Sequence, residues 1–148
     1  MLFRVTELSF ADLLERLFVA GVAITTRALS EATPDLDLTF PQWRVLLIVG
    51  EGGDGATVSE VAARVGVTVP ATSRQLRRLA RRGLLVITRD ARDRRAARAR
   101  LTEAGSAVRD QILGDRHRRI AATATGLRVS QTTLVELRRV ADAFDVYR

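Results

Sequence analysis

The chain has 148 residues, 47% of them hydrophobic, and is therefore long enough to fold as one domain around a buried core. It contains no cysteine and one histidine, which excludes disulfides, thiol chemistry and zinc sites rich in cysteine or histidine. No apolar run reaches the roughly 18 residues of a membrane span, and the first residues lack the pattern of a secretion signal. We therefore expect a cytoplasmic protein with no cofactor, no bound metal and no membrane contact.

Positive charge is concentrated in the middle of the chain. All 24 basic residues are arginine, and the formal net charge is +7. Residues 55–101 hold twelve arginines and three acidic residues, whereas residues 1–54 hold four arginines and eight acidic residues. Such a cationic block is typical of a surface that binds a polyanion.

The N-terminal third predicts two helices. Apolar residues recur at helical spacing from about Leu8 to Ser30, and Pro34 interrupts the pattern. The segment Thr39-Phe-Pro-Gln42 fits a capping box, with Thr39 as the N-cap and Gln42 reaching back to it. We expect the second helix to continue through Trp43 and to end at Gly52-Gly53.

Two shorter helices follow, separated by a tight turn. A second capping box, Thr57-Val-Ser-Glu60, predicts a helix over Val58–Val65 that Gly66 ends. Thr68 is the expected N-cap of a helix that runs to Arg82, and Gly83 is the expected stop. This order is that of a helix-turn-helix.

The periodicity then changes from 3.6 to 2, which predicts a β-hairpin. Leu85 and Ile87 share one face of the first strand. In the second strand, three apolar residues alternate with two arginines: Ala97, Arg98, Ala99, Arg100 and Leu101. The polar segment 90–95 forms the hairpin tip. A hairpin placed directly after a helix-turn-helix is a wing.

Two further helices complete the chain. Thr102-Glu-Ala-Gly105 caps a helix that extends to about Ala124, and Ser130 begins the last one. The last helix carries an apolar face that includes Leu134, Leu137 and Phe144. The predicted fold is mainly α with a small β-hairpin wing, a winged helix-turn-helix flanked by N- and C-terminal helices.

The helix from Thr68 to Arg82 has one arginine face. At 100° per residue, its five arginines fall within an arc of about 140°. The opposite arc holds the residues expected to pack, namely Val69, Thr72, Leu76, Leu79 and Ala80. An ordinary solvated helix would interleave acidic residues for i,i+4 pairs, and this helix has none. The arginine face therefore favours a nucleic-acid partner.

The position of each residue on this helix suggests its role. The first turns of a recognition helix enter the major groove, where Pro70, Ala71 and Arg74 could meet base edges. Ser73 lies at the margin of the exposed arc, and Thr68 is a further candidate DNA contact. Arg74 has the geometry to bind guanine bidentately. We expect Arg77 and Arg78 to hold phosphates, and Arg81 and Arg82 to be solvated.

The hairpin tip is the second candidate contact. Arg92, Arg94 and Arg95 lie beside Asp93 in a loop that could reach the minor groove, whose negative potential attracts arginine. Aspartate also favours ordinary polar turns, which is the alternative. Asp93 would orient an arginine rather than touch DNA.

The sequence resembles the MarR family of bacterial transcription regulators over nearly its whole length. The resemblance rests on a set of segments in this order and spacing: Leu38-Thr-Phe-Pro-Gln-Trp43, Thr57-Val-Ser-Glu-Val-Ala62, Leu79-Ala-Arg-Arg-Gly-Leu-Leu85, Asp90-Ala-Arg-Asp-Arg-Arg95 and Leu101-Thr-Glu-Ala-Gly105. It implies a single domain over residues 1–148, with dimerisation helices 8–31 and 106–147 and a DNA-binding lobe over 39–105. The implied partners are double-stranded DNA and a second copy of the chain.

The resemblance also assigns roles to residues. Ser73, Arg74 and Arg78 match family DNA contacts, Asp93 the orienting aspartate and Arg95 the inserted arginine. A small lipophilic or aromatic effector would bind between the dimerisation helices and the lobe, where Phe18, Trp43 and His117 are the candidate contacts. Each of the three is more often a core or surface residue.

The resulting hypothesis is a homodimeric repressor that binds a pseudo-palindromic operator and is released by an effector. The main alternative is a sequence-indifferent architectural or RNA-binding protein. A winged helix that binds another protein would carry mixed charge on the third helix of the lobe. In this sequence that helix contains arginines and no acidic residue. An enzyme would need a phosphate loop, a nucleophile motif or metal-ligand spacing, and none is present.

Overall fold

A computed structural model describes residues 9–89 and 96–145. The elements in chain order are α1 (Phe10–Ala32), a 3-10 turn (Pro34–Leu36), α2 (Phe40–Glu51), β1 (Ala56–Thr57), α3 (Val58–Val65), α4 (Val69–Arg81), β2 (Leu85–Arg89), β3 (Ala97–Leu101), α5 (Glu103–Ala124) and α6 (Gln131–Ala143). The fold is mainly helical with one small sheet, as predicted. Within these residues, no helix combines the length and the hydropathy that a bilayer span requires.

Side-chain caps fix where the helices begin. Both predicted capping boxes are confirmed, because Thr39 pairs with Gln42 at the start of α2, and Thr57 with Glu60 at the start of α3. A third box, formed by Ser9 and Asp12, was not predicted. It satisfies the free N–H groups of the first turn and starts α1 at Phe10, two residues later than expected.

The sheet has three antiparallel strands in the order β1-β3-β2. The predicted hairpin is confirmed, with Leu85 opposite Leu101 and Ile87 opposite Ala99. Strand β1, which spans two residues, was missed because so short a segment carries no periodicity. Ile87 was expected to share a face with the buried Leu85, but it is exposed, because β2 is an edge strand, whereas Ala99 opposite Ile87 on the central strand β3 is fully buried.

The core lies where α2, α4 and α5 meet the sheet. Its largest fully buried side chains are Trp43, Leu46, Leu76, Leu79, Leu84, Leu85 and Ile112. Together with Ala28 and Leu29 of α1, they form one continuous apolar cluster. Each large side chain buried in this way contributes about 1.5–3 kcal/mol, so the cluster fixes α4 against the rest of the lobe.

A close backbone approach joins the sheet to α5. Thr102 caps α5 through a bond from the Gly105 N–H (2.9 Å), and its hydroxyl donates to the Gly83 carbonyl (2.6 Å). The Thr102 N–H also donates to the Leu84 carbonyl (3.2 Å). Gly105 lies against that carbonyl so closely that no side chain fits.

Two helices expose apolar faces in the single chain. On α1 these residues are Phe10, Leu13, Leu17, Phe18, Val19 and Val22, and on α6 they are Leu134, Val135, Leu137 and, at its end, Phe144. The rings of Phe18 and Phe144 meet edge to face, with centroids 5.1 Å apart. The two faces are therefore adjacent, and the predicted division into dimerisation helices and a lobe stays a prediction.

Candidate nucleic-acid interface

Helix α4 is held by its apolar side. Thr72, Leu76 and Leu79 are fully buried. The C-terminus ends in a Schellman motif, in which the Leu84 N–H donates to the Leu79 carbonyl (3.0 Å) and the Gly83 N–H to the Ala80 carbonyl (2.9 Å). Gly83 has φ +73°, as its predicted role as a stop requires. The burial of these three side chains and the end of the helix at Gly83 together determine which side of α4 faces outward.

The outward side carries the predicted arginines. Arg74, Arg77 and Arg78 are all exposed, and with Ala80 and Arg81 they line a shallow groove of about 610 Å³. None of these four arginines forms an ion pair within residues 9–89 and 96–145. The structure therefore presents a cluster of like charges that no described acidic side chain offsets.

Arg82 departs from its expected role. It was expected to be solvated, but it is half-buried, and its Nη1 donates to Oε1 of Gln42 (3.4 Å). The same Oε1 accepts the Thr39 N–H (3.1 Å) in the capping box of α2. Arg82 therefore ties the end of α4 to the start of α2, because Gln42 offers it an acceptor that helical spacing alone could not reveal.

The first turn of α4 also differs from its prediction. Thr68 holds the N-cap position without a side-chain hydrogen bond, and Pro70 follows in the first turn. Thr68 and Pro70 are exposed, and Ala71 and Ser73 are half-buried. Val69 was expected to pack but is 47% exposed, because the first turn projects beyond the core.

The wing is described only up to its tip. The candidate residues Arg92, Asp93, Arg94 and Arg95 lie outside the described residues. In β3, Arg98 donates to the Gly55 carbonyl (2.9 Å), and Nε of Arg100 donates to the Asp54 carbonyl (2.9 Å). These two arginines tie the base of the wing to the loop before β1.

Comparison with known proteins agrees with this architecture. A model described as the MarR family matches residues 36–96, the segment that contains the helix-turn-helix and β2 and that ends just before β3. A MarR family protein from Bacillus stearothermophilus has a TM-score of 0.69 at 25% identity, over 90% of this chain and 91% of its own. The family model covers less than half of the chain, and over those residues the chain resembles the MarR family.

Two further solved structures have a similar fold over almost the whole chain. A MarR family transcriptional regulator from Rhodococcus sp. RHA1 has a TM-score of 0.72 at 22% identity, over 96% of both chains. CouR from Rhodococcus jostii RHA1, solved with p-coumaroyl-CoA bound, has a TM-score of 0.70 at 24% identity, over 96% of this chain and 94% of its own. No curated protein gives a significant match. The chain therefore has a winged helix fold similar to that of these structures.

The three candidate effector contacts are not brought together. Trp43 is 1% exposed and belongs to the core, and Phe18 lies against Phe144. His117 is exposed on α5. An effector role for these three residues stays a prediction.

The sequence did not predict a cavity of about 300 Å³ that lies between α2, α3 and α5. It is lined by Arg44, Leu47, Ile48, Glu51, Arg64, Leu113 and Arg116. These residues come from three separate helices, and no local motif links them. Helical spacing could have placed Leu113 and Arg116 on one side of α5, but not opposite Arg44.

Proposed function

We propose that this chain is a MarR-type transcription regulator that binds duplex DNA as a homodimer and represses transcription by occupying its operator. The single observation that carries the proposal is the arginine face of α4, which no acidic side chain among the described residues offsets. Like charges at i,i+4, such as Arg74 with Arg78 and Arg77 with Arg81, destabilise an isolated helix by about 0.2–0.5 kcal/mol per pair. A phosphate backbone would offset that repulsion and explains why the face is retained.

The contacts divide by position along the helix. The exposed first turn, with Thr68, Pro70, Ala71, Ser73 and Arg74 nearest the bases, would enter the major groove. Arg74 would bind a guanine edge through two parallel hydrogen bonds, a contact that discriminates by about 1–3 kcal/mol.

The remaining contacts would position the protein on the duplex. Arg77 and Arg78, further along α4, would hold phosphates. In the wing, Arg92, Arg94 and Arg95 would reach the adjacent minor groove, with Asp93 orienting Arg95.

The dimer would form through the apolar faces of α1 and α6. Exposed apolar patches of this extent mark association surfaces in soluble proteins. A two-fold dimer would present two copies of α4 to half-sites about one helical turn apart, which makes the operator a pseudo-palindrome. Helices 8–31 and 106–147 would then form the dimerisation region and residues 39–105 the lobe.

A small effector would release the complex. CouR binds p-coumaroyl-CoA, and a comparable ligand here would favour a spacing of the two lobes that mismatches the grooves. Lipophilic or aromatic compounds are the expected class. Binding of this kind requires no catalysis, and we propose that the chain is not an enzyme.

The salt dependence of DNA binding tests the proposal. If about eight phosphates are neutralised per dimer, log affinity falls with log salt at a slope near −7. Arg78→Ala should weaken binding to all sequences alike and flatten the slope, whereas Arg74→Ala should relax sequence preference. Arg139→Ala on α6, which removes an exposed arginine paired with Glu136 (3.0 Å), is the matched control.

Competition between candidate duplexes completes the test. Fragments of the chain's own genome are selected on the protein, and the selected duplex competes with random duplex and with RNA. Preference for the selected duplex supports a sequence-specific regulator. Equal competition by random duplex or RNA would favour the architectural alternative, and a monomer that ignores duplex DNA at low salt would refute the proposal.

A further inference from the structure

Arg98 lies where the wing meets the helix-turn-helix. It is the second residue of β3, the central strand of the sheet. On one side it pairs with Thr88 of β2, the other strand of the wing, and on the other side it pairs with Thr57 of β1. Thr57 is also the N-cap of α3. Arg98 is therefore placed to connect the wing to the first helix of the helix-turn-helix.

The guanidinium group of Arg98 makes that connection. Its Nη1 donates to the Gly55 carbonyl (2.9 Å) and lies 3.9 Å from Oε2 of Glu60, with which it forms an ion pair. The same Oε2 accepts the N–H of Thr57 (2.6 Å) and its hydroxyl (2.9 Å) in the capping box of α3. One carboxylate therefore serves both the first turn of α3 and the wing.

The burial of Arg98 indicates that it holds the wing rather than DNA. Its side chain is 17% exposed, whereas that of Arg100, on the same face of β3, is 46% exposed. A partly buried ion pair is screened by salt less than an exposed one, so the contact with Glu60 persists at the ionic strength of a DNA-binding assay. Arg100 bonds to Asp54 in the loop before β1 and, among the described residues, forms no ion pair with α3. The two arginines therefore differ in what they join.

We propose that Arg98 is a positioning residue that fixes the wing at the angle at which the wing and α4 bind one duplex at the same time. The inference rests on the proposed function, in which α4 enters the major groove and the wing reaches the adjacent minor groove. Two contact elements held in a fixed relation bind as one unit, whereas a wing that can pivot loses that freedom each time it binds. Arg98 therefore raises the affinity for DNA without touching it.

Affinity for the duplex selected on wild type gives the first test, at fixed salt. Arg98→Gln should weaken binding about three- to tenfold, the cost of ordering a wing that is no longer held in place. Arg98→Lys keeps a cation toward Glu60 and should recover most of that loss. Arg100→Gln, the matched control from the same strand, should change affinity by less than about twofold. A loss with Arg100→Gln as large as that with Arg98→Gln would contradict the assignment.

A background without wing contacts separates positioning from other roles. In a protein whose wing-tip arginines are replaced by alanine, Arg98→Gln should have no further effect on DNA affinity, because the wing has nothing left to position. A direct phosphate contact, or a general weakening of the fold, would lower affinity in that background too. Glu60→Gln keeps the capping box, which accepts either side chain, but removes the charge that faces Arg98. It should show the same dependence on the wing tip, so the test does not rest on the stability of one variant. The replaced wing-tip residues are Arg92, Arg94 and Arg95.

Chemical footprinting distinguishes this inference from the proposed function. Dimethyl sulfate reports protection of guanine N7 in the major groove, and hydroxyl radicals report protection of sugars along the minor groove. At saturating protein, Arg98→Gln should keep the major-groove protection and lose the minor-groove protection next to it. An Arg98→Gln footprint identical to that of wild type, or one that loses both protections together, contradicts the positioning role alone. Wild type that protects neither groove contradicts the proposed function.

Discussion

Replacing glycine by alanine at Gly105 and at Gly114, both in α5, should have opposite effects on the stability of the protein. A Cβ at Gly105 would lie 2.9 Å from the carbonyl carbon of Leu84 and closer still to its oxygen. A Cβ at Gly114 would meet only the end of the flexible Arg118 side chain, at 3.5 Å. Gly105→Ala should therefore destabilise the protein, and Gly114→Ala should stabilise it.

The structure sets the size of both effects. In a helix, alanine is favoured over glycine by about 0.5–1 kcal/mol, and Gly114→Ala should gain that amount. Gly105→Ala must separate α5 from the backbone of Leu84, which costs about 1–3 kcal/mol in overpacking. It also strains the bond from the Thr102 N–H to the Leu84 carbonyl (3.2 Å), worth about 0.5–1.5 kcal/mol. The net loss is about 0.5–4 kcal/mol after the gain in helix propensity.

Urea unfolding at fixed protein concentration measures both variants. In a chain of this length, each kcal/mol shifts Tm by about 2–4 °C, so thermal scans should place Gly114→Ala above wild type and Gly105→Ala below it. Changes of the same sign in the two variants would refute the steric argument. Unchanged stability in Gly105→Ala would show that α5 can move away from the hairpin at little cost.

Three further predictions concern buried or charged groups. Thr72→Val should stabilise the fold by up to about 1 kcal/mol in urea unfolding, because the fully buried Thr72 hydroxyl has no partner among the described residues. Gly83→Ala should cost about 1 kcal/mol by the same assay, since its φ of +73° disfavours a side chain. Arg119 lowers the pKa of Asp115 below its usual 3.8 through a 2.5 Å hydrogen bond. The stability that the Asp115–Arg119 pair contributes to the folded state is therefore present above pH 3.8. It is lost as the pH falls through the lowered pKa that Asp115 has in the folded state. Acid unfolding should show this loss in wild type and not in Asp115→Asn.

Local signals predicted the parts of the fold that depend on neighbours in sequence. The capping boxes at Thr39 and Thr57 and the stop at Gly83 require only residues a few positions apart, and the structure confirms all three. The alternation of apolar residues in the two strands predicted the hairpin for the same reason, and the pairing of Leu85 with Leu101 confirms it. The arginine face of α4 follows from 100° per residue, and the buried side of the helix agrees with it.

Features set by tertiary contacts were not predictable in this way. Val69 lies on the packing side of the helical wheel, yet it is exposed because nothing covers the first turn of α4. Arg82 found an acceptor in Gln42, forty positions away. The cavity arginines come from helices far apart in sequence, and their opposition depends on how α5 crosses α2 and α3.

The bonds of α5 join the lobe to α1. At its N-terminal end, Arg109 donates to the Gly50 carbonyl (2.8 Å), which joins α5 to the lobe together with the Thr102 contacts. Near its C-terminal end, Arg119 bonds to Glu31 of α1 (2.6 Å). Because α5 is bonded to both the lobe and α1, a change in the position of α5 would change the angle between them. In the homodimer that we propose, the spacing of the two α4 helices would depend on that angle, so a contact on α5 that never touches DNA would still alter the affinity for an operator.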